Sequence, residues 1–385
     1  MSGINRKINR KAKKEIELCY CGSGKEYKNC HKNILEEEPM KAYELDKELK
    51  NSFGEKRCMS PDSLHNECST RIINAHTISK SANLKKIAVK GHVYSFEKSI
   101  QALERNKEGF PIKKIGVNNA SIFNGFCSKH DKELFAIIED EEMIFSGEQI
   151  FTLAYRTISN ELYMKKSSQN NNKKAKGYDK GFPPELSVMY QYFINNNMSN
   201  GLDLATRDLN FIKNKYDKYL LSKNFEKQQY YIVVINKTPE IMNNTGWIPT
   251  NDFDNSLLAD LKNEDEIFNT LTVSTINYNN QGAIVFSWLD VDEMNNKYCV
   301  DFIQSLHMID NKYKSSAILQ WILNCGENLY WSIKWWDGLS KSQQDKFINK
   351  SRDITQGQNL HKYNELDNFV DWEVIEIRTN INEIK

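Results

Sequence analysis

The chain has 385 residues and a formal charge of +1 at neutral pH, with 39% hydrophobic and 11% aromatic residues. That length gives room for two or three domains with buried cores, and the apolar content is too high for a disordered chain. Balanced charge excludes a uniformly basic surface, so nucleic-acid contacts would have to come from local patches, and no apolar run approaches the ~18 residues a membrane span needs.

Cysteine and histidine concentrate at the front. Six of eight cysteines and five of seven histidines precede residue 131, whereas all seven tryptophans lie between Trp247 and Trp372. The basic N-terminus lacks the apolar segment of a signal peptide, which leads us to expect a cytoplasmic protein. In a reducing compartment, clustered cysteines favour metal ligation over disulfides. The expected layout is α+β, with a metal-binding front and an aromatic-rich back. Residues 1–14 carry Arg6, Lys7, Arg10, Lys11, Lys13 and Lys14 without an acid, as a solvated tail or a phosphate-contacting arm would.

Next comes Cys19-Tyr-Cys21-Gly-Ser-Gly-Lys-Glu-Tyr-Lys-Asn-Cys30-His31. Cys19 and Cys21 form one half-site, and the Gly22–Gly24 turn brings Cys30 and His31 back to complete it. A module this small has no apolar core and is held together by its metal. The stretch closely resembles the SEC-C motif, a short zinc module. The resemblance implies a structural zinc within residues 15–35 that docks onto partners and is not catalytic. Residues 34–53 read as a polar break followed by an amphipathic helix, with Met40, Tyr43 and Leu49 near one face.

A second group follows: Cys58-x9-Cys68-x7-His76 and, later, Asn124-Gly-Phe-Cys127-Ser-Lys-His130-Asp131. Cys58, Cys68, Cys127 and His130 suit a tetrahedral three-Cys, one-His zinc site. Cys127 and His130 have the close spacing of one knuckle, while Cys58 and Cys68 are spread more widely. His76 is left over, and it stands as an alternative ligand in place of His130; His65 and His92 are further candidates. The apolar strand Ile72–Ala75 ending in His76, with Asn124–Phe135 as second strand and helix start, resembles the HNH-type nucleases and their treble-clef frame. That resemblance implies an HNH-like zinc domain over 36–145, His76 as general base, Asn124 (or Asn119) as its orienter, and Asp131 as ligand to a catalytic Mg2+ or Mn2+. Ala75 stands where such enzymes usually carry a metal-binding Asp or His, and the 82–118 insert is long. Two functions follow: a metal-dependent nuclease acting on nucleic acid, of a build often used in phage defence, or a non-catalytic zinc adaptor that binds nucleic acid, the ribosome or a protein.

From Ser146 to Lys166, Ile150, Leu153, Ala154, Ile158 and Leu162 recur at helical spacing. Residues 165–181 hold six lysines and one acid with no apolar periodicity, which predicts a mobile linker and a boundary there: 146–182 as helix and basic linker, 183–385 as a C-terminal α+β domain with an antiparallel sheet. Within it, 184–223 is expected to be helical. Residues 230–236 read as a buried strand, and 270–278 with 283–289 as a hairpin turned by Asn279-Asn280-Gln281-Gly282. Residues 300–323 read as helix, Trp335-Trp336 as adjacent strand positions on opposite faces, and 369–377 as a last strand. No Walker loop, Rossmann fingerprint or Gly-x-Ser-x-Gly elbow occurs.

Overall fold

A computed structural model describes residues 17–106, 109–351, 363 and 367–384; the basic stretch 1–14 lies outside them. Two compact units emerge, each drawn from two stretches: residues through 53 with Ser167–Asp203, and Gly54–Lys166 with Leu204–Lys385. Helices and strands are mixed as an α+β chain requires, and the sheets are antiparallel throughout.

The first unit contains the helices His31–Leu35, Ala42–Phe53 and Pro184–Tyr192, the last turns of a long helix, Gly147–Ala175, and the first turn of another, Ser199–Ser222. Here the reading of 165–181 as a mobile linker is corrected. The helix continues to Ala175, and Ser167, Ala175 and Asp179 are buried. Its packing is polar, so apolar periodicity could not reveal it: Gln169 donates to Asp203 at 2.7 Å, Asn172 to Ser199 at 2.7 Å and Lys174 to Glu48 at 3.4 Å. Gly181, at φ +70°, closes the segment, and a Cβ there would lie 2.6 Å from the Glu37 carbonyl.

The second unit is built on an eight-stranded sheet of order β10-β5-β8-β7-β6-β9-β2-β3 and a separate pair, β1-β4. The strands are β1 (Ile72–His76), β2 (His92–Phe96), β3 (Ile112–Gly116), β4 (Ile122–Cys127), β5 (Gln228–Ile235), β6 (Ile241–Trp247), β7 (Leu271–Tyr278), β8 (Gln281–Leu289), β9 (Leu329–Trp331) and β10 (Val374–Thr379). Alternation splits the large sheet between two cores. Tyr231, Val233, Phe286 and Trp288 face a core shared with the helices Lys297–Met308 and Asn311–Cys325. Ile232, Val234, Ala283 and Val285 face another, shared with Ile158 of the long helix and Ile212 of Ser199–Ser222. A strand covered on both faces reads as a continuous apolar run, which is why 230–236 stood out.

Several expectations shift in detail. The 82–118 insert supplies β2 and β3, which reach the main sheet through the three-residue β9. The β7–β8 turn is Asn279-Asn280 alone, both at positive φ (46° and 62°) as a primed hairpin turn requires. Gly282 lies in the strand, where a Cβ would come within 2.6 Å of Pro239. Residues 300–323 belong to two helices, the second capped by Asp310. Trp335 and Trp336 sit on a short helix, Ile333–Gly338, rather than a strand, and both rings pack on Phe347 at 5.6 and 5.4 Å. The last strand starts only at Val374; Phe369, Val370 and Trp372 are core residues of the extended run before it.

Candidate metal centres

In the first unit, the ligand atoms of Cys19, Cys21, Cys30 and His31 lie within 4.8 Å of one another. Gly22 and Gly24, both at positive φ, turn the chain between the half-sites. His31 Nδ1 stands 3.1 Å from Cys19 Sγ and 3.3 Å from Cys30 Sγ, and Cys21 and Cys30 Sγ are 3.6 Å apart. With Zn–N of ~2.0–2.1 Å and Zn–S of ~2.3 Å, a tetrahedral centre has N···S edges of about 3.5 Å and S···S edges of about 3.8 Å. The cluster therefore has the size of a zinc site with three sulfur ligands and one nitrogen.

Behind it stands a residue no motif announced. His31 Nε2 lies 3.2 Å from Asp179 Oδ2, both fully buried. Ser187 donates to the same oxygen and contacts Tyr20 Oη at 2.7 Å. Burial would raise the Asp179 carboxyl, but hydrogen bonds from His31, Ser187 and Gln191 hold it below the usual carboxylate range. A carboxylate on the far nitrogen fixes a ligating imidazole's tautomer and raises its basicity. Asp179→Asn is expected to weaken metal binding at this site by ~10- to 100-fold, read by chelator competition as earlier release of one metal equivalent of two. Only the lone acid among six lysines hinted at this role.

The second cluster is Cys58, Cys68, Cys127 and His130. His130 Nδ1 is 3.5 Å from Cys58 Sγ, 3.5 Å from Cys68 Sγ and 3.4 Å from Cys127 Sγ, again the edges of a zinc-sized tetrahedron. The antiparallel pair β1–β4 (Ile72 opposite Cys127, His76 opposite Ile122) runs straight into the helix Ser128–Glu139. Cys127 caps that helix, its Sγ accepting from the His130 amide at 3.5 Å, which brings the two last ligands to the first turn. Cys58 reaches the site because Arg57 and Met59 donate to the β4 carbonyls of Asn124 and Gly125. Burial and the neighbouring Cys58 and Cys127 thiols push Cys68 up to about 12. Burial also opposes ionisation of Cys127, yet donors from His130 and Ser69 bring it down to about 7. Crowded thiols that cannot all ionise together suit a divalent cation. His31 Nε2 has the Asp179 carboxylate 3.2 Å away, whereas the buried His130 Nε2 has no hydrogen-bond partner among the described residues.

His76 is outside this cluster. Its Nε2 lies 3.1 Å from the Val117 carbonyl, and since a carbonyl only accepts, Nε2 carries the proton and Nδ1 is bare. His65 and His92 are likewise occupied, by the carbonyls of Ser60 (3.0 Å) and Lys90 (2.9 Å). His76 and Asp131 do share an open cleft, with Lys80, Glu139 and Arg156 on its walls. Arg156 is buried, 2.6 Å from Glu139 and stacked over Phe135 at 4.2 Å. Asn124 does not line this cleft; its amide donates to the Gly54 carbonyl at 3.1 Å. Asn119 is exposed and does not line it either. Among the described residues, His76, Asp131 and Glu139 do not gather closely enough to form a third ligand group.

The SEC-C motif matches residues 17–33, the stretch that carries the first cluster. No curated protein and no solved structure matches the chain. No helix among the described residues is long and apolar enough to cross a membrane.

Proposed function

We propose that the protein is a cytoplasmic, zinc-braced nuclease of the HNH-like kind, with two structural zincs and a catalytic cleft between β1 and the Ser128–Glu139 helix. The observation that carries this is the shared cleft: a strand ends in His76, a helix carries Asp131 in its first turn, and the second Cys/His cluster grips that same turn. Burial, with Lys80 and Arg156 nearby, holds His76 below the usual imidazole range against the pull of Val117 and Glu139. It is therefore neutral at pH 7, and its bare Nδ1 is the atom that takes a proton from water. A divalent cation at Asp131 would supply charge stabilisation at the phosphate. Asn124 would act on the frame of the site rather than on His76 itself. The SEC-C unit would dock a protein partner, and service in phage defence remains part of this reading.

The second reading, a non-catalytic zinc adaptor for nucleic acid, the ribosome or a protein, is favoured by one observation: Asp131 has no ready-made group of ligands around it among the described residues. Incubating purified protein with plasmid and single-stranded DNA and RNA, with magnesium, manganese or nickel, separates the two. Cutting that needs the added ion and falls away in Asp131→Asn supports the nuclease. Cutting by Asp131→Asn at the wild-type rate removes Asp131 from the mechanism, and no cutting under any condition leaves the adaptor.

A further inference from the structure

The two edges of the eight-stranded sheet are built differently. At one edge β3 presents Lys113 and Lys114, both exposed. Lysines on an edge strand hinder a second strand from adding to it, a common guard against edge-to-edge association. At the other edge β10 pairs with β5, and among the described residues no strand pairs with its outer side. On that side every second residue turns its N–H and C=O away from the sheet.

β10 carries no lysine guard. Its charged residues are one acid and one base, Glu376 and Arg378, and Ile375 is 49% exposed. The strand is firmly held from within: Thr379 Oγ1 donates to the Tyr230 carbonyl at 2.8 Å, and Asn380 Oδ1 accepts from the Tyr230 amide at 2.9 Å. Arg378 lies over the rings of Phe145 and Tyr278, 5.3 and 5.7 Å from their centroids. From there its Nε and Nη2 donate to the Glu376 carboxylate, each at 2.8 Å. Acid and base are thus set in order along one face of a free edge.

We propose that the outer edge of β10 pairs with the same edge of a second copy of this chain, about a two-fold axis at Ile377. Such a contact is isologous, and because side chains alternate between faces, the axis falls on a residue rather than between two. Centring on Ile377 sets Glu376 opposite Arg378 of the second copy and Arg378 opposite its Glu376, while the exposed Ile375 meets Thr379. Moving the centre by one residue sets Glu376 against Glu376, or Arg378 against Arg378, and like charges directly opposite are destabilising. The bulge between Val374 and Glu376 ends the regular run and confines the pairing to these positions. In the favoured register each charge keeps its opposite two residues along its own strand. It gains another directly across, with Cβ atoms about 5 Å apart. Two strands this short bury far less than the ~1,600 Å2 of a standard interface, so the dimer is reversible and depends on concentration. It draws on neither zinc cluster and does not involve the cleft, and its fate is separate from that of the nuclease reading.

The test is light scattering and sedimentation equilibrium of the full-length, metal-replete protein from ~1 to ~200 μM, the range in which weak association is read. Wild type should pass from monomer to dimer across it. Glu376→Arg sets arginine against arginine and Arg378→Glu sets glutamate against glutamate, and each should weaken association at least about tenfold. An equimolar mixture of the two variants should dimerise again, because the mixed pair has opposite charges across it at both positions. The bond within each chain stays broken in that mixture, so recovery cannot come from repair of the strand itself. Ile375→Lys, at an exposed position, copies the guard of β3 and should also weaken the dimer, a check that holds even if Arg378→Glu does not fold. Circular dichroism and metal content show which variants are folded. A wild type that stays monomeric at ~200 μM, undiminished association in any folded variant, or a mixture of folded charge variants that associates no better than its parts, overturns the proposal.

Discussion

Replacing Cys127 with serine should leave the protein with one zinc equivalent in place of two and should unfold the β1–β4 pair together with its helix. Cys127 is fully buried, ends β4 opposite Ile72, caps the helix and sits 3.4 Å from His130 Nδ1. Its loss therefore removes a ligand, a cap and the junction of strand and helix at one stroke. Zinc in small structural sites contributes ~10–16 kcal/mol at neutral pH, which exceeds or equals the ~5–15 kcal/mol by which whole domains are stable. A two-stranded pair has little strength of its own in water, so the packing of Phe123, Phe126 and Phe135 against the shared core would have to hold the element unaided. Metal analysis and amide exchange read the outcome, with Cys299→Ser as the control. That cysteine is buried in the other core, outside both clusters, so its substitution costs stability at most and must leave two equivalents. Two equivalents and an unchanged urea midpoint in Cys127→Ser would mean that the cluster is only a packing of thiols.

Both Cys/His groups were legible in the sequence because thiols and imidazoles bunched at the spacing of metal ligands have few other roles. Helices and strands with one apolar stripe or run, such as Ile150–Leu162 and residues 230–236, were legible for the same kind of reason. The rest was hidden where polar contacts replace apolar ones. Residues 165–181 look like a linker because asparagine, glutamine and lysine make the contacts, and for that reason Asp179, which backs His31, showed only as a lone acid among lysines. The Glu139–Arg156 pair was hidden differently: each residue belongs to a separate helix, and a salt bridge across elements leaves no periodic trace. Trp335-Trp336 misled because adjacent aromatics suit a strand, yet the Ser332 to Leu339 segment closes one helical turn with both rings on Phe347.

His76→Ala carries the second large effect, and it distinguishes chemistry from scaffolding. If His76 takes the proton from the attacking water, its loss should slow cutting by ~10²- to 10⁴-fold, the usual share of a positioned general base. Zinc content should stay at two equivalents, because His76 belongs to neither cluster. Its side chain is half-buried and its Nε2–H is spent on Val117, so a modest fall in stability is expected, and Val117's carbonyl can turn to water in the space vacated. The pH profile supplies the sharper signature. With the His76 pKa held below its ordinary value of about 6.5 by burial, the wild-type rate should climb with pH on the acid side as the imidazole loses its proton. It should level off before neutrality, and the residual activity of the alanine variant should lack that limb. Were the variant to cut at the wild-type rate, the base would lie elsewhere and His76 would be a buried strap between β1 and Val117. Were it to lose a zinc, the second cluster would draw on His76 in solution, and Asp131 would then lose its place beside a free base.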